Sequence, residues 1–380
     1  MMKILSVVGA RPQFVKAAMV HSAINKHNQG QHGTEKLHHC LVHTGQHYEH
    51  TLSDVFFAEL PLPTPDHHLG VGSGPHGVQT AAMLEKIEAV LLREKPDVVV
   101  VYGDTNSTVA ASLAAAKIHI PVAHVEAGLR SFNREMPEEI NRVVADHLSD
   151  LLFCPTRTAV VNLKKEGIKR GVLLVGDVML DSVREFLPYA ARHAGLLEKI
   201  GVKPKEYILT TIHRAENTDA PGKLALLLQS LLQLNRPVVF PMHPRLRDRL
   251  TQSAQLGELN KLLRQASHIH ILDPVPYLDM LMLETNARLV MTDSGGVQKE
   301  AYFLGVPCLT LREETEWLET LRDGWNRLVS AFPKNISRAV EREWPLRKSA
   351  RRNRPQPRAF GRGDAAERIL REILKFCRQH

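Results

Sequence analysis

Five carboxylates crowd one stretch of this chain, Val98 to Arg142 (VVVVYGDTNSTVAASLAAAKIHIPVAHVEAGLRSFNREMPEEINR). Two apolar runs in it, 98–102 and 122–125, read as strands. Each ends in a polar cluster that carries an acid, Asp104 in GDTNST and Glu126 in HVEAGLR, and Glu138 and Glu139 follow inside MPEEINR. Acids at the carboxyl ends of buried parallel strands lie where open α/β sheets place their ligands. Several of them together suit general acid–base catalysis. The plainer alternative has Asp104 capping the next helix and both glutamates in a first helical turn, where the dipole favours negative charge.

Groups that could face an anion recur at similar strand ends. KILSVV (3–8) runs straight into GARPQFVKAAMVHSAIN, which places Arg11 and Lys16 near the start of a helix. The turn lacks GxGxxG, so the dinucleotide fingerprint is absent, yet a glycine, an arginine and a helix N-terminus can hold a phosphate. An arginine and a lysine on the surface of an amphipathic helix would look the same. Further on, RLVMTDSGGVQKEAYFLG (288–305) offers the backbone N–H groups of Ser294, Gly295 and Gly296 at the opening of a helix. That arrangement makes a diphosphate cradle, or else ordinary tight-turn chemistry. His213-Arg214, Glu216, His243, Asp293 and Arg312 also fall at strand ends.

The elements that must position these residues alternate. In the first half, strand-like runs at 3–8, 40–47, 98–102, 122–125, 151–156 and 172–183, the last ending in Gly176-Asp177, are separated by helical patterns, including 48–60 and 77–95. Such alternation predicts a parallel sheet with helices on both faces. The glycine-rich LGVGSGPHG (69–77) precedes a helix but shows no strand before it and no Lys-Ser/Thr after it, so it is a weak phosphate-loop signal. After Asp181 the pattern loosens through FLPYAARHAGLLEKIGVKPK, which reads as a crossing between domains. A second alternating set follows, YILTTIHRAEN (207–217), a Leu-rich helix near 223–234, PVVFPMHP (237–244), HIHILDPV (268–275), RLVMTDSGGVQKEAYFLG (288–305) and PCLTLREETEW (307–317), whose strands end in polar loops. The amphipathic tail 363–375 is expected to fold back across the join. The expected division is 1–180 plus a C-terminal helix at 360–380 for the first domain and 181–359 for the second.

Composition narrows the class. With 43% hydrophobic and 24% charged residues over 380 positions, the chain is an ordinary globular sequence large enough for two domains. No apolar stretch approaches the roughly 18 residues of a membrane span. Cys40, Cys154, Cys308 and Cys377 show neither CxxC spacing nor a disulfide framework, which fits a reducing cytoplasm. The histidines of the first 70 residues match no zinc pattern, so no metal is expected. Much of the net charge of +8 lies in LRKSARRNRPQPR (346–358), and no nucleic-acid motif accompanies it, so the cations point to an anionic small molecule.

GARPQFVKAA, TGQH, YGDTNST, HVEAGLRS, MPEEINR, TIHRAEN, FPMHP and TDSGGVQKEA occur in the order and spacing of the non-hydrolysing UDP-N-acetylglucosamine 2-epimerases, which the chain resembles from Gly9 to about Trp325. The resemblance implies an α/β fold of two Rossmann-like, doubly wound domains facing a cleft, the GT-B architecture. It implies a cytoplasmic homodimer and a UDP-sugar substrate, with no cofactor, no nucleic acid and no membrane partner. It implies catalytic roles for Asp104, Glu126, Glu138 and His213. Arg11, Lys16, Ser294, Gly295 and Gly296 are implied at the diphosphate, Glu300 at the ribose and His243 along the nucleotide pocket. Three departures stand out. Gln46 is kept, but Glu49 stands where the family's substrate-activated members have a second glutamine. LGVGSGPHG replaces their arginine-bearing segment, which argues against activation by substrate. TEWLE (315–319) puts Trp317 where an arginine is expected and resembles the branch acting on UDP-2,3-diacetamido-2,3-dideoxyglucuronic acid. A GT-B glycosyltransferase would share the cradle and Glu300 but would need an acceptor.

Overall fold

Four consecutive valines, Val98–Val101, and Tyr102 form a strand in which every residue is buried. A strand of an antiparallel sheet open to water on one side would alternate; this one is apolar throughout because helices cover both faces of a parallel sheet. The computed structural model describes residues 2–30, 36–46, 62–251, 253–345 and 358–379, and leaves aside the side chains of Arg11 and Arg245. The helix expected at 48–60, Glu49 and nearly all of the basic run 346–358 lie outside the described residues.

The chain divides into two units, Met1–Arg184 with Arg358–His380, and Glu185–Pro357. In the first, β1 (Met2–Val8), β2 (Leu37–His43), β3 (His67–His68), β4 (Val98–Tyr102), β5 (Val122–Val125), β6 (Leu151–Cys154) and β7 (Val172–Leu174) pair in the order 3-2-1-4-5-6-7. In the second, β8 (Ile208–Thr211), β9 (Val238–Pro241), β10 (Ile269–Leu272), β11 (Leu289–Thr292), β12 (Cys308–Thr310) and β13 (Asn326–Leu328) pair as 10-9-8-11-12-13. Every pairing is parallel. Both sheets are therefore doubly wound and Rossmann-like, and two such units on one chain are of the GT-B type. The strand order reverses between β1 and β4 in one unit and between β8 and β11 in the other, where open sheets bind ligands.

Packing sets the loops at those edges. The helix Asn106–Lys117 buries Ala110, Ala111, Ala114 and Ala115, and these small side chains let it lie close against its neighbours His76–Glu94 and Pro137–Leu148. Met83, Ile87 and Leu91 meet Val99 and Val101 in the same core. The second unit has its own core, in which Leu224, Leu227, Leu228 and Leu231 of the helix Pro221–Leu232 pack with Ile208, Val238, Phe240 and Met291. The C-terminal helix Ala365–Cys377 belongs to the first unit. It packs on the helix Arg11–Gly30, and its Ala366 N–H donates to Asp181 Oδ2 at 2.8 Å.

In the run 172–183 the strand is expected to end in Gly176-Asp177, and it stops just short of that pair. Only Val172–Leu174 is extended; after Gly176 the chain turns into a helix, Val178–Ala190, that carries Pro188 near its end. VMLDSV is apolar enough for a strand, but Met179, Leu180, Val183 and Phe186 are buried at helical spacing. The glycine-rich segment 69–77 does follow a strand, β3, whose two residues are too few to leave a period in sequence.

Gly171 just before β7 has φ of +67°. A Cβ there would run into the carbonyl oxygen of Asp150. Gly171→Ala is expected to cost about 3 kcal/mol, a fall in Tm of about 6–12 °C. Gly30→Ala, at a helix end with nothing within 4 Å, should be neutral. Equal melting temperatures for the two variants would refute the clash.

Candidate active site

In the first unit the β1, β4 and β5 loops are knitted together by buried side chains. Gln13 accepts from the Gly9 and Ala10 N–H groups (2.7 and 3.0 Å) and donates to the Tyr102 carbonyl (2.7 Å) and Thr105 Oγ1 (3.0 Å). Lys16, buried on the helix after β1, forms an ion pair with Glu126 at the end of β5. Its ammonium lies 3.4 Å from where a Cβ on Gly103 would sit. Glu126 itself holds φ of +76°, a left-handed conformation that costs a non-glycine residue energy and recurs at functional sites.

Asp104 does not cap the next helix. That helix starts at Asn106 with Thr105 at its N-cap, and the Asp104 carboxylate instead meets Arg142 in an ion pair. Arg142 also donates to Glu139 at 2.9 Å. Glu138 and Glu139 both sit in the first turn of Pro137–Leu148, and the structure separates them. Glu139 is buried and accepts from the Ser131 N–H (2.9 Å), Ser131 Oγ (3.0 Å) and the Phe132 N–H (3.0 Å), so its acceptor sites are filled in holding the 131–132 loop. Glu138 is half-exposed and has no hydrogen-bond partner among the described residues.

Sequence reasoning missed the support beneath these acids. His124, fully buried on β5, reaches Asp146 Oδ1 with Nδ1 (2.7 Å) and the Gly103 carbonyl with Nε2 (2.8 Å). Asp146 further accepts from Arg130 (2.7 Å), which clamps Glu166 through two bonds of 2.6 Å. Burial would raise the Asp146 carboxyl, but His124 and Arg130 outweigh that and hold it below the ordinary range. The network fixes the loop that carries Asp104. Gln46 of TGQH plays a similar part, accepting from Ser107 Oγ at 2.7 Å.

In the second unit, His213 follows β8 and Asp293 follows β11, the two strands flanking the reversal of order. Asp293 is fully buried and accepts from the N–H groups of His213 (3.0 Å) and Arg214 (3.0 Å) and from Asn217 Nδ2 (3.0 Å), and its Oδ1 lies 3.0 Å from His213 Nδ1. Burial pushes its carboxyl up, but the His213 ring and these hydrogen bonds win and hold it below the usual range. An ionised Asp293 accepts a hydrogen bond from Nδ1–H of His213, whose side chain is 40% exposed, so that in the neutral ring Nε2 is the nitrogen without a proton. His243, at the turn into the helix Pro244–Arg249, has its ring 6.0 Å from that of His213.

Ser294 is the N-cap of the helix Gly295–Phe303, and its hydroxyl accepts from the Val297 N–H. A Cβ on Gly295 would come within 3.2 Å of Glu316 Oε1 and 3.5 Å of Trp317 Nε1, while one on Gly296 would have nothing closer than 3.8 Å. Arg312, 2% exposed, lies 3.1 Å from Glu316 Oε2 and 3.4 Å from Glu216 Oε1. Trp317, which stands where an arginine was expected, is buried under Lys299, whose ammonium sits 3.9 Å from the ring centroid. Glu300 is nearly buried one turn into the same helix.

Apart from these groups, Cys40, His67 and Glu94 bring potential metal-ligand atoms within 4.8 Å of one another. Lys3 (3.1 Å) and Arg93 (3.4 Å) already pair with Glu94, and Arg93 also meets the His67 ring, so a dication would have to displace two cations.

A family model described as UDP-N-acetylglucosamine 2-epimerase matches residues 30–374. A Methanococcus maripaludis protein named UDP-N-acetylglucosamine 2-epimerase homolog is 46% identical over 375 residues, covering 98% of this chain and 99% of its own. A Pseudomonas aeruginosa protein named UDP-2,3-diacetamido-2,3-dideoxy-D-glucuronate 2-epimerase is 45% identical over 381 residues, covering 99% and 100%. Among solved structures, Methanocaldococcus jannaschii UDP-GlcNAc 2-epimerase in complex with UDP-GlcNAc and UDP matches with a TM-score of 0.88 at 42% identity, covering 99% of this chain and 100% of that one.

Proposed function

Because the chain belongs to the UDP-N-acetylglucosamine 2-epimerase family, we propose that it interconverts UDP-N-acetylglucosamine and UDP-N-acetylmannosamine. The sugar's C2 is not next to a carbonyl, so its proton is hard to remove unless the C1 substituent departs with it. The reaction is therefore elimination: a base takes the C2 proton, the C1–O bond breaks with its electrons going to UDP, and 2-acetamidoglucal remains. Re-addition of UDP with protonation from the opposite face inverts C2. One base cannot serve both faces; acids on different loops can. Asp104 and Glu126, at the ends of neighbouring strands, are that pair, with Glu138 and His213 completing the proton-transfer set. Arg11, Lys16, Ser294, Gly295 and Gly296 hold the diphosphate as its charge grows on departure. Glu300 takes the ribose hydroxyls and His243 lines the nucleotide pocket.

The observation that carries this reading is the set of differently partnered acids at one sheet edge, Asp104 on Arg142, Glu126 on Lys16 and Glu138 unengaged among the described residues. In D2O, turnover of UDP-N-acetylglucosamine should place deuterium at C2 of the product and of recovered substrate, followed by proton NMR. Retention of the original proton would sink the elimination scheme. Free N-acetylmannosamine would mark hydrolysis instead.

A second substrate, UDP-2,3-diacetamido-2,3-dideoxyglucuronate, is favoured by the Pseudomonas relative and by Trp317, and the same NMR experiment with that sugar decides between the two. On either reading the enzyme is a cytoplasmic homodimer that supplies surface-polysaccharide precursors; its cysteines, free in the structure, suit a reducing compartment.

A further inference from the structure

One buried amide touches both of the loops that the proposed reaction brings together. Gln13, 1% exposed, stands at the third position of the helix Arg11–Gly30. Its Oε1 accepts from the Gly9 and Ala10 N–H groups, just ahead of that helix, at 2.7 and 3.0 Å. A glutamine that reaches back to the residue before a helix is an ordinary capping arrangement, and a glutamate would serve it as well or better, because the dipole favours negative charge there. Capping leaves the other end of the amide unexplained. Nε2 donates to the Tyr102 carbonyl (2.7 Å), Thr105 Oγ1 (3.0 Å) and Thr108 Oγ1 (3.1 Å), at the end of β4 and the start of the helix Asn106–Lys117. Thr108 Oγ1 itself donates to the Tyr102 carbonyl at 2.8 Å. Two N–H groups demand an acceptor and a carbonyl demands a donor, and a carboxamide supplies both where an ionised carboxylate supplies only the first.

We propose that Gln13 is a positioning residue for the reaction: its amide holds the turn that carries Arg11 and the loop that carries Asp104 at one fixed separation. Ala10 immediately precedes Arg11, and Tyr102 and Thr105 bracket Gly103-Asp104. The proposal rests on the reading in which Arg11 holds the diphosphate and Asp104 exchanges the C2 proton. Elimination breaks bonds at C1 and C2 of one sugar, so a base and an anion site that are each intact but displaced by about 1 Å lose about 10²-fold in rate and little affinity for UDP. Other contacts hold the loop from other sides. Asn141 Nδ2 donates to the Asp104 carbonyl at 3.0 Å, and His124 Nε2 lies 2.8 Å from the Gly103 carbonyl. Those tie Asp104 to the helix Pro137–Leu148 and to β5; Gln13 ties it to residues 9 and 10.

Four variants test this beside the wild type: Gln13→Glu, Gln13→Met, Asp104→Asn and the double variant Gln13→Met with Asp104→Asn. Calorimetric titration with UDP gives Kd, proton NMR of UDP-N-acetylglucosamine turnover gives kcat, and melting curves report the fold. Gln13→Glu keeps the acceptor toward Gly9 and Ala10 but sets an oxygen against the Tyr102 carbonyl, and Gln13→Met keeps neither bond. Both should bind UDP within about threefold of wild type and turn over about 10²-fold more slowly. In the double variant the losses should not add: it should turn over within about threefold of Asp104→Asn, because a residue that acts through Asp104 then has nothing left to position. The two arms are independent, so a poorly folded Gln13→Glu leaves the double-variant cycle to decide. Wild-type kcat in a folded Gln13→Glu would make Gln13 a helix cap and overturn the proposal. So would a Gln13→Met loss as large in the Asp104→Asn background as in the wild type, the mark of damage to the fold. If Asp104→Asn is impaired and the Gln13 variants are not, the proposal is wrong while the reading of Asp104 stands. If Asp104→Asn itself turns over like the wild type, that reading falls and takes the proposal with it.

Discussion

Asp104→Asn is expected to lower kcat by about 10³-fold while the fold and the affinity for UDP survive. The carboxylate sits at the end of β4, where a sheet with this strand order presents ligand-binding groups, and its side chain is 30% exposed although the rest of its loop is tied down. Among the described residues its ion pair is with Arg142, which keeps Glu139 as a second partner at 2.9 Å. The asparagine carbonyl can still accept from Arg142, so the loss of stability should be about 1 kcal/mol or less. Glu126→Gln is the less clean experiment. It leaves the buried ammonium of Lys16 without that counter-charge, an arrangement that costs about 3 kcal/mol, and a fall in rate would mix chemistry with folding. The measurements are kcat by NMR, Kd for UDP and the melting temperature. A near-wild-type kcat would reduce Asp104 to an anchor for Arg142.

Much of this was readable in sequence because the strands are short, apolar and bounded by polar clusters. Val98–Val101 announces a buried strand, and an acid placed straight after it has few other reasons to be there. Where the reading stopped, it stopped for physical reasons. His124, Arg130, Asp146 and Glu166 are linked by hydrogen bonds between residues up to 36 positions apart, and no local pattern encodes such pairing. Glu138 and Glu139 are adjacent in one helical turn, yet a rotation of about 100° sends one to the half-exposed side and buries the other against the 131–132 loop. Glu284 looks in LMLETN like any glutamate near a helix end, and only the packing of its helix, Tyr277–Asn286, on the next shows that it is fully enclosed. The helix Val178–Ala190 was hidden by its own first turns, whose valine, methionine and leucine read equally well as a strand.

Asp293 extends the argument from placement to protonation. Five hydrogen-bonding contacts converge on its two oxygens. Oδ2 accepts from the His213 N–H, the Arg214 N–H and Asn217 Nδ2, while Oδ1 faces the His213 ring and also that residue's N–H. Asp293→Asn cannot satisfy them all. The amide oxygen will take the side with three donors, which turns the NH2 group toward His213 Nδ1. A donor facing Nδ1 forces that nitrogen to accept, so the ring proton moves to Nε2, the atom meant to exchange a proton with the substrate. The expected result is a loss of about 10³-fold in kcat from a wrong tautomer alone, with UDP affinity within about threefold of wild type. Nitrogen NMR of the His213 ring distinguishes the two tautomers directly. If kcat falls while Nδ1 keeps its proton, Asp293 supports the loop rather than the chemistry, and if the proton moves while kcat holds, His213 Nε2 is not a proton-transfer group.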